Sequence, residues 1–128
     1  MPSEKRKFGD FGEKIAINYL IGKGYQIIEQ NYLKPWGEID LIGRLRNNLI
    51  FFEVKTRDLK NVEHFLPEHS IDRRKIRNLQ KICETYLNEK RYPVNQQWQI
   101  DVISIAIDKI REKAKIKHIE NAIWEKPY

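Results

Sequence analysis

The sequence predicts an α/β domain with a mixed central β-sheet flanked by helices. Three observations support this class: a helical pattern of apolar residues over 4–22, another over 70–90, and apolar runs of strand length between and after them. The resulting order is helix, three strands, helix, strand, strand, in which the helices must cover the sheet. We expect one domain over residues 1–128, with flexible ends at about 1–6 and 125–128.

The first helix is predicted from apolar residues that recur at helical spacing: Phe8, Phe11, Gly12, Ile15, Ala16, Tyr19 and Leu20. The centre of this stripe is expected near Phe8 and Tyr19, which puts Glu13 about 120° away, at the edge of the buried face. Gly24 and the residues before it end the helix, because glycine readily adopts the left-handed conformation. Residues 25–33 then form the first predicted strand.

A β-hairpin is predicted over residues 37–55, where two runs rich in Ile, Phe and Val flank a turn. With a two-residue loop at Arg46-Asn47, Asp40 lies opposite Glu53, and Glu38 lies opposite Lys55. Directly opposed Cβ atoms are roughly 5 Å apart, close enough for two carboxylates to hold one cation. Charges in strands suited to a buried sheet are costly unless they are paired or bind a metal.

The charged residues of the hairpin suit one kind of chemistry. The carboxylates of Asp40 and Glu53, with the backbone carbonyl of Val54, are the oxygen ligands that Mg²⁺ or Mn²⁺ prefers. Lys55 would orient an attacking water or stabilise the transition state as a cation. The pattern therefore favours metal-assisted phosphodiester hydrolysis. The alternative is that these residues form ordinary cross-strand ion pairs facing solvent.

Residues 56–70 form a long polar segment after the hairpin, in which His64 and His69 are expected to be surface residues. Ser70 is the predicted N-cap of the second helix, which ends near Lys90. Its apolar stripe contains Ile76, Leu79, Cys83, Tyr86 and Leu87. Residues 98–107 and 116–124 are the last two predicted strands, joined by a charged connection over 108–115. Trp36, in the turn before the hairpin, would either pack on the core or stack on a base.

Basic residues dominate the charge of the chain, with 24 Lys and Arg against 18 Asp and Glu. Five of them crowd the first half of the second helix: Arg73, Arg74, Lys75, Arg77 and Lys81. Cations near a helix N-terminus oppose the macrodipole, so this cluster favours an external partner such as phosphate. A solvated basic face is the alternative.

Several short motifs occur in an order typical of one family: Gly9-Asp10-Phe11-Gly12-Glu13-Lys14-Ile15-Ala16, Tyr19-Leu20, Lys23-Gly24-Tyr25, Asn31-Tyr32, Gly37-Glu38-Ile39-Asp40-Leu41-Ile42 and Glu53-Val54-Lys55-Thr56-Arg57. Over residues 8–105 the chain resembles the YraN family of endonuclease-like proteins, which is similar to archaeal Holliday junction resolvases and to PD-(D/E)xK nucleases. The resemblance implies a restriction-endonuclease-like fold, metal ligands at Asp40 and Glu53, and a catalytic lysine at Lys55. It also implies that Glu13 joins the acidic site, that Lys75 contacts phosphate, and that the protein is a homodimer.

The sequence departs from the family pattern at two places. Residues 64–69 replace the usual Phe-Gly-x-Pro run, and Gln99-Ile100-Asp101-Val102 replaces Arg-Phe-Asp-Val. Asp101 is therefore kept without the neighbouring arginine. It either supports the site indirectly or only fixes its strand.

These observations together favour a metal-dependent nuclease that acts on DNA, including branched or flapped forms, with Mg²⁺ or Mn²⁺ as cofactor. One alternative is a nucleic-acid-binding module on the same fold that does not cut. Another is a structural ion-pair network whose basic surface meets a protein partner. The single Cys83 excludes an intrachain disulfide, and the sequence has neither an apolar stretch of 18 residues nor a hydrophobic signal core. We therefore expect a cytoplasmic location without a membrane span.

Overall fold

The computed structural model describes residues 3–61 and 73–122, and it contains a five-stranded mixed sheet with two helices. The elements are α1 (Glu4–Gly22), β1 (Gln26–Lys34), β2 (Gly37–Leu45), β3 (Asn48–Asp58), a 3₁₀ turn (Leu59–Asn61), α2 (Arg73–Glu89), β4 (Trp98–Asp108) and β5 (Lys113–Ile119). The strand order is β1-β2-β3-β4-β5, with β3 and β4 parallel and the other neighbours antiparallel. The predicted α/β class and element order are confirmed.

The two faces of the sheet carry separate hydrophobic clusters. On one face, Ala16 and Leu20 of α1 pack with Phe52 of β3. On the other, Ile82 and neighbouring residues of α2 pack with Phe51. Because successive residues of a strand point to opposite faces, β3 is buried on both sides and contributes to both clusters.

The predicted register of the hairpin is confirmed where β2 and β3 pair, from Leu45–Asn48 to Leu41–Phe52. Beyond this point β2 continues to pair with β1, and β3 continues to pair with β4. Glu38 consequently lies opposite Leu33, and Lys55 lies opposite Ser104, so the predicted Glu38–Lys55 pair does not form. The two strands separate at the position of Asp40.

The buried face of α1 differs from the prediction. Gly12, Ala16 and Leu20 are buried, whereas Phe11, expected in the apolar stripe, is 52% exposed. The reason is a close approach at Gly12, where an added Cβ would lie 1.9 Å from Oγ1 of Thr56 in β3. The helix therefore faces the sheet at Gly12, where the absence of a Cβ allows close contact with β3.

The strands near the carboxyl end also differ from the prediction. β3 continues to Asp58, and β5 begins at Lys113, so the connection after β4 is only the turn 109–112. Oδ1 of Asp108 accepts hydrogen bonds from the backbone N–H groups of Ile110 and Arg111, both at 3.1 Å, which closes this turn early.

Some predictions fall outside the described residues. These are the N-cap Ser70, the loop positions His64 and His69, and the chain ends at 1–2 and 123–128. Within the described part of the chain, no helix is both long and apolar enough to cross a bilayer.

Candidate metal and nucleic-acid site

A cavity of about 230 Å³ opens between α2 and the point where β2 leaves β3. Its lining residues are Glu38, Asp40, Glu53, Lys75, Asn78, Leu79 and Ile82. Two of the predicted catalytic residues, Asp40 and Glu53, therefore share one cavity with the lysine predicted to contact phosphate.

The side chain of Asp40 accepts a hydrogen bond from the backbone of β3 at the point where β2 no longer pairs with β3. Its Oδ2 atom accepts a hydrogen bond of 2.7 Å from the backbone N–H of Val54. The N–H and C=O groups of one strand residue point to the same neighbouring strand. The carbonyl of Val54 therefore also faces the gap beside Asp40, as a backbone metal ligand would require.

The two carboxyl groups influence each other strongly. Burial and the negative charge of Glu53 raise the pKa of Asp40 to about 8, and protonated Asp40 donates a hydrogen bond to Glu53. Glu53 is itself buried, with 9% of its surface exposed. Like charges held together in a buried site are relieved by a proton or by a cation.

Lys75 and Lys55 provide the positive charge of the site. Nζ of Lys75 lies 3.3 Å from Oε2 of Glu53 and donates a hydrogen bond to Lys55. Burial, this hydrogen bond and the positive charge of Lys75 lower the pKa of Lys55, although Glu53 opposes the shift. Burial alone would lower the pKa of Lys75, but the bond to Lys55 and the negative charges of Glu53 and Asp40 raise it. Lys55 therefore gives up its proton more readily than Lys75, which stays charged.

Glu13 lies beside this site and does not line the cavity. It is half-buried on α1, and its pKa is raised by burial and by the charges of Glu38 and Asp10. The side-chain amide of Asn31 donates a hydrogen bond to it. Its negative charge also contributes to the raised pKa of Asp40. Glu13 thus belongs to the same electrostatic cluster.

Asn31 has a role that the sequence alone did not reveal. Its backbone adopts φ 52°, a left-handed conformation that asparagine tolerates better than most residues. In the pairing of β1 with β2, its neighbours Gln30 and Tyr32 lie opposite Leu41 and Ile39, so Asn31 lies next to Asp40. Asn31-Tyr32 belongs to the family motifs of the sequence, but nothing in this motif indicates a contact between Asn31 and Glu13.

The basic face predicted on α2 is present beside the cavity. Arg74, Arg77 and Lys81 are exposed, while the side chain of Arg73 lies outside the described part. Trp36 is 45% exposed, and Nζ of Lys81 lies 5.8 Å from the centre of its ring. Trp36 is therefore a surface residue with a cation beside it and is not part of the core.

Asp101 fixes its strand to the neighbouring turn. It is fully buried and accepts hydrogen bonds from Nε2 of Gln99 at 2.8 Å and from the backbone N–H of Asn121 at 2.8 Å. Its other oxygen lies 2.7 Å from Nε2 of His118. Since Asp101 is paired with Phe52, it lies on the α1 side of the sheet, opposite to the side of Glu53. These contacts agree with the structural alternative.

The donor atoms of the cavity fit a hard divalent cation. Across residues 3–61 and 73–122, no three acidic, histidine or cysteine side chains form a metal-binding group. Asp40 and Glu53 would therefore act with the Val54 carbonyl, and water or phosphate oxygens would complete the shell. Mg²⁺ typically binds in this way, through one or two carboxylates, several waters and substrate phosphates.

Comparison with known proteins places the chain in a family. Residues 12–105 match the uncharacterised protein family UPF0102. A UPF0102 protein of Thermodesulfovibrio yellowstonii is 41% identical over 92% of this chain and 96% of its own length. Relatives from Syntrophomonas wolfei and Clostridioides difficile are 39% and 38% identical, over 91% and 89% of this chain and 97% and 94% of their own lengths. The chain therefore belongs to the UPF0102, or YraN, family.

Proposed function

We propose that this protein is a metal-dependent endonuclease that hydrolyses phosphodiester bonds of DNA, including branched or flapped forms. The observation that carries the proposal is the pairing of Asp40 with Glu53 in one cavity beside two lysines. A buried pair of carboxyl groups, in which the pKa of Asp40 is raised, beside two lysines is suited to bind a cation and a phosphate together.

The residues that would hold Mg²⁺ or Mn²⁺ are Asp40, Glu53 and the carbonyl of Val54. Bound there, the ion would supply Lewis acidity, which would make a water molecule more acidic and offset negative charge on the phosphoryl oxygens. Lys55, whose pKa is lowered, accepts a proton from the attacking water. A bond forms between phosphorus and the water oxygen, the bond to one ester oxygen breaks, and that oxygen takes a proton from solvent.

Lys75 and the exposed cations of α2 hold the substrate in this scheme. Lys75, which keeps its charge, interacts with the phosphoryl oxygens that gain negative charge in the transition state. Arg74, Arg77 and Lys81 bind backbone phosphates without reading sequence, and we assign the same role to Arg73. Glu13 increases the negative potential that attracts the cation.

A second candidate function is a nucleic-acid-binding module without cleavage. The observation that favours it is the 3.3 Å ion pair of Lys75 with Glu53, which neutralises one carboxylate without any metal. In that case the site is a balanced charge network, and the basic surfaces carry the function.

Cleavage and metal binding should be measured together. Labelled linear, single-stranded, flapped and four-way-junction DNA are incubated with Mg²⁺ or Mn²⁺ and wild type, Asp40→Asn or Lys55→Met. Mn²⁺ binding is measured separately by calorimetry without DNA. Glu84→Gln and Lys14→Met remove exposed charges of the same kinds elsewhere and are the matched controls.

The nuclease proposal expects metal-dependent cutting that Asp40→Asn and Lys55→Met abolish and that both controls retain. Mn²⁺ binding should be lost in Asp40→Asn and kept in Lys55→Met. Equal cutting by all five proteins would indicate a contaminating nuclease and would overturn the assignment. Tight, salt-sensitive DNA binding without cutting of any substrate would favour the binding module.

We also propose that the active form is a symmetric homodimer and that it acts in the cytoplasm. The dimer follows from the resemblance to junction resolvases, and the location from the cysteine usage and the proposed DNA substrate. Light scattering with and without junction DNA tests the dimer. A monomer under both conditions would overturn it.

A further inference from the structure

A row of lysines on β5 forms a second basic surface next to the candidate site. Lys113, Lys115 and Lys117 alternate along this strand, so their side chains share one face of the sheet. All three are exposed. This surface is therefore separate from the basic face of α2.

The register of the sheet connects this row to the site. Lys55 of β3 lies opposite Ser104 of β4, and Ser104 lies opposite Lys117 of β5. In the next row, Arg57 lies opposite Ala106, and Ala106 lies opposite Lys115. In each row, β3 and β5 therefore carry a cation, and β4 carries a small side chain between them.

This face is the one that carries the site. Val102 and Ile119, which are opposite each other in the same alternation, both pack in the cluster beneath α2. Neighbouring strands are about 4.8 Å apart, so the backbones of Lys55 and Lys117 are separated by about 10 Å. Lysines two residues apart along β5 are separated by about 7 Å. Between the rows, Ser104 of β4 is buried and Ala106 is partly exposed.

Two of the three lysines of β5 face neutral partners across the sheet: Lys115 lies opposite Ala106 and Lys117 opposite Ser104, whereas Lys113 lies opposite Asp108. Lys34, Lys90 and Lys109 each form an ion pair with a carboxylate. In contrast, none of the three lysines of β5 forms an ion pair within residues 3–61 and 73–122. Three exposed cations on one strand raise the positive potential of the face beyond the cavity.

We infer that Lys113, Lys115 and Lys117 bind the phosphate backbone of a nucleic acid on the β4–β5 side of the candidate site. That the bound nucleic acid is also cut at the candidate site rests on the proposed function. The binding of its phosphates by the β5 lysines does not. The competing explanation is that the lysines only protect the edge of the sheet from pairing with another chain.

The test is the salt dependence of DNA binding by the full-length protein. A labelled 30-base-pair duplex and a 30-nucleotide single strand are titrated in EDTA at several KCl concentrations. The variant carries Lys113→Gln, Lys115→Gln and Lys117→Gln. The matched control carries Lys14→Gln, Lys23→Gln and Arg91→Gln, which also removes three exposed charges from the net of +6.

Removal of three phosphate contacts should reduce the slope of log K against log salt by about 2 to 3 on duplex DNA. Affinity at moderate salt should fall at least about tenfold, and the control triple should keep the wild-type slope. Equal slopes in the two triples, or no binding by wild type, would overturn the inference. Self-association of the β5 triple with an unchanged slope would also overturn it, in favour of edge protection.

Cleavage by the same proteins keeps the two proposals separate. Wild type that binds through β5 but never cuts would refute the nuclease and support this surface. Wild type that cuts, with a β5 triple of unchanged slope, would support the nuclease and refute this surface.

Discussion

The backbone N–H of Val54 donates its hydrogen bond to Asp40, a side chain of the neighbouring strand, across a distance of 2.7 Å. The pairing of β2 with β3 ends at Leu41–Phe52, next to this bond. The carboxyl group of Asp40 thus satisfies a buried backbone donor that the separated strand no longer satisfies. The carboxyl group of Asp40 is also buried beside Glu53, so ionising both groups together is unfavourable.

Asp40→Asn is expected to stabilise the protein in EDTA at neutral pH. The pKa of Asp40 is about 8 in the folded protein, against an ordinary value of 3.8. As pH rises from about 4 to 8, the unfolded chain loses this proton while the folded protein retains it, so the free energy of unfolding falls. The amide keeps an acceptor for Val54 without a charge, and the gain should reach on the order of 2–4 kcal/mol at pH 8.

Chemical denaturation of wild type and Asp40→Asn at pH 4, 6 and 8 checks this prediction. The difference in the free energy of unfolding should be small at pH 4 and should grow towards pH 8. Glu84→Gln, which removes an exposed carboxylate, should show no such trend. A variant that is less stable than wild type at every pH would contradict the assignment of a strained carboxyl pair.

Lys75→Gln is expected to affect the chemical step, and Lys81→Gln is expected to affect binding. Lys75 contacts Glu53 in the cavity, whereas Lys81 is exposed beside Trp36. Loss of a cation that stabilises the transition state lowers the rate constant at saturating DNA, here by roughly 100-fold. Loss of a distant phosphate contact raises KM and leaves that constant nearly unchanged.

Single-turnover cleavage at several DNA concentrations separates the two effects. Lys75→Arg keeps the charge and should recover part of the activity, which a purely structural role of the side chain would not require. If Lys75→Gln and Lys81→Gln change KM equally and leave the rate constant intact, both lysines contribute to DNA binding and neither to the chemical step.

The sequence predicted what depends on local pattern, and it failed where distant strands meet. The two-residue turn fixed the register from Leu45 to Leu41, which brought Asp40 near Glu53. The parallel pairing of β3 with β4 joins residues about 50 positions apart, so spacing within the hairpin carried no information about Ser104. The contact of Lys75 with phosphate is predicted from the basic cluster and the family pattern, and helical periodicity cannot show that this lysine also reaches a carboxylate on the sheet.

Asp101→Asn is expected to destabilise the protein without affecting metal binding. The residue is fully buried and accepts from Gln99 and from the backbone of Asn121, with His118 against its other oxygen. An amide nitrogen replaces one of these acceptors, so the free energy of unfolding should fall by about 2–4 kcal/mol. The melting-temperature increase caused by Mn²⁺ should remain, because Asp101 lies on the other side of the sheet.

The two aspartate variants therefore form a contrasting pair. Asp40→Asn should be stabilised in EDTA and unresponsive to Mn²⁺, and Asp101→Asn should be destabilised and responsive. Thermal unfolding with and without Mn²⁺ measures both quantities in one experiment. Loss of the Mn²⁺ response in Asp101→Asn, at a temperature where the variant is folded, would assign Asp101 to the support of the site.

Gly12→Ala is expected to destabilise the protein because α1 contacts β3 through this glycine. An added Cβ would lie 1.9 Å from Oγ1 and 2.8 Å from Cγ2 of Thr56, so the helix must move or Thr56 must rotate. Overpacking of this kind costs about 1–3 kcal/mol. Gly9 is the matched control: it lies in the same helix with no atom within 4 Å of an added Cβ. Gly9→Ala should therefore stabilise the helix by about 0.5–1 kcal/mol.

Denaturant unfolding of Gly9→Ala, Gly12→Ala and Gly12→Ala with Thr56→Ala measures this contact. The second substitution removes the two closest atoms, so part of the lost stability should return, as a coupling energy between neighbouring positions. Thr56 follows Lys55 on β3, and Glu13 follows Gly12 on α1, so a displaced helix should also lower the rate of metal-dependent cleavage. Equal stabilisation by both glycine substitutions would show that α1 does not approach β3 this closely, and the placement of Glu13 beside the acidic pair would be lost with it.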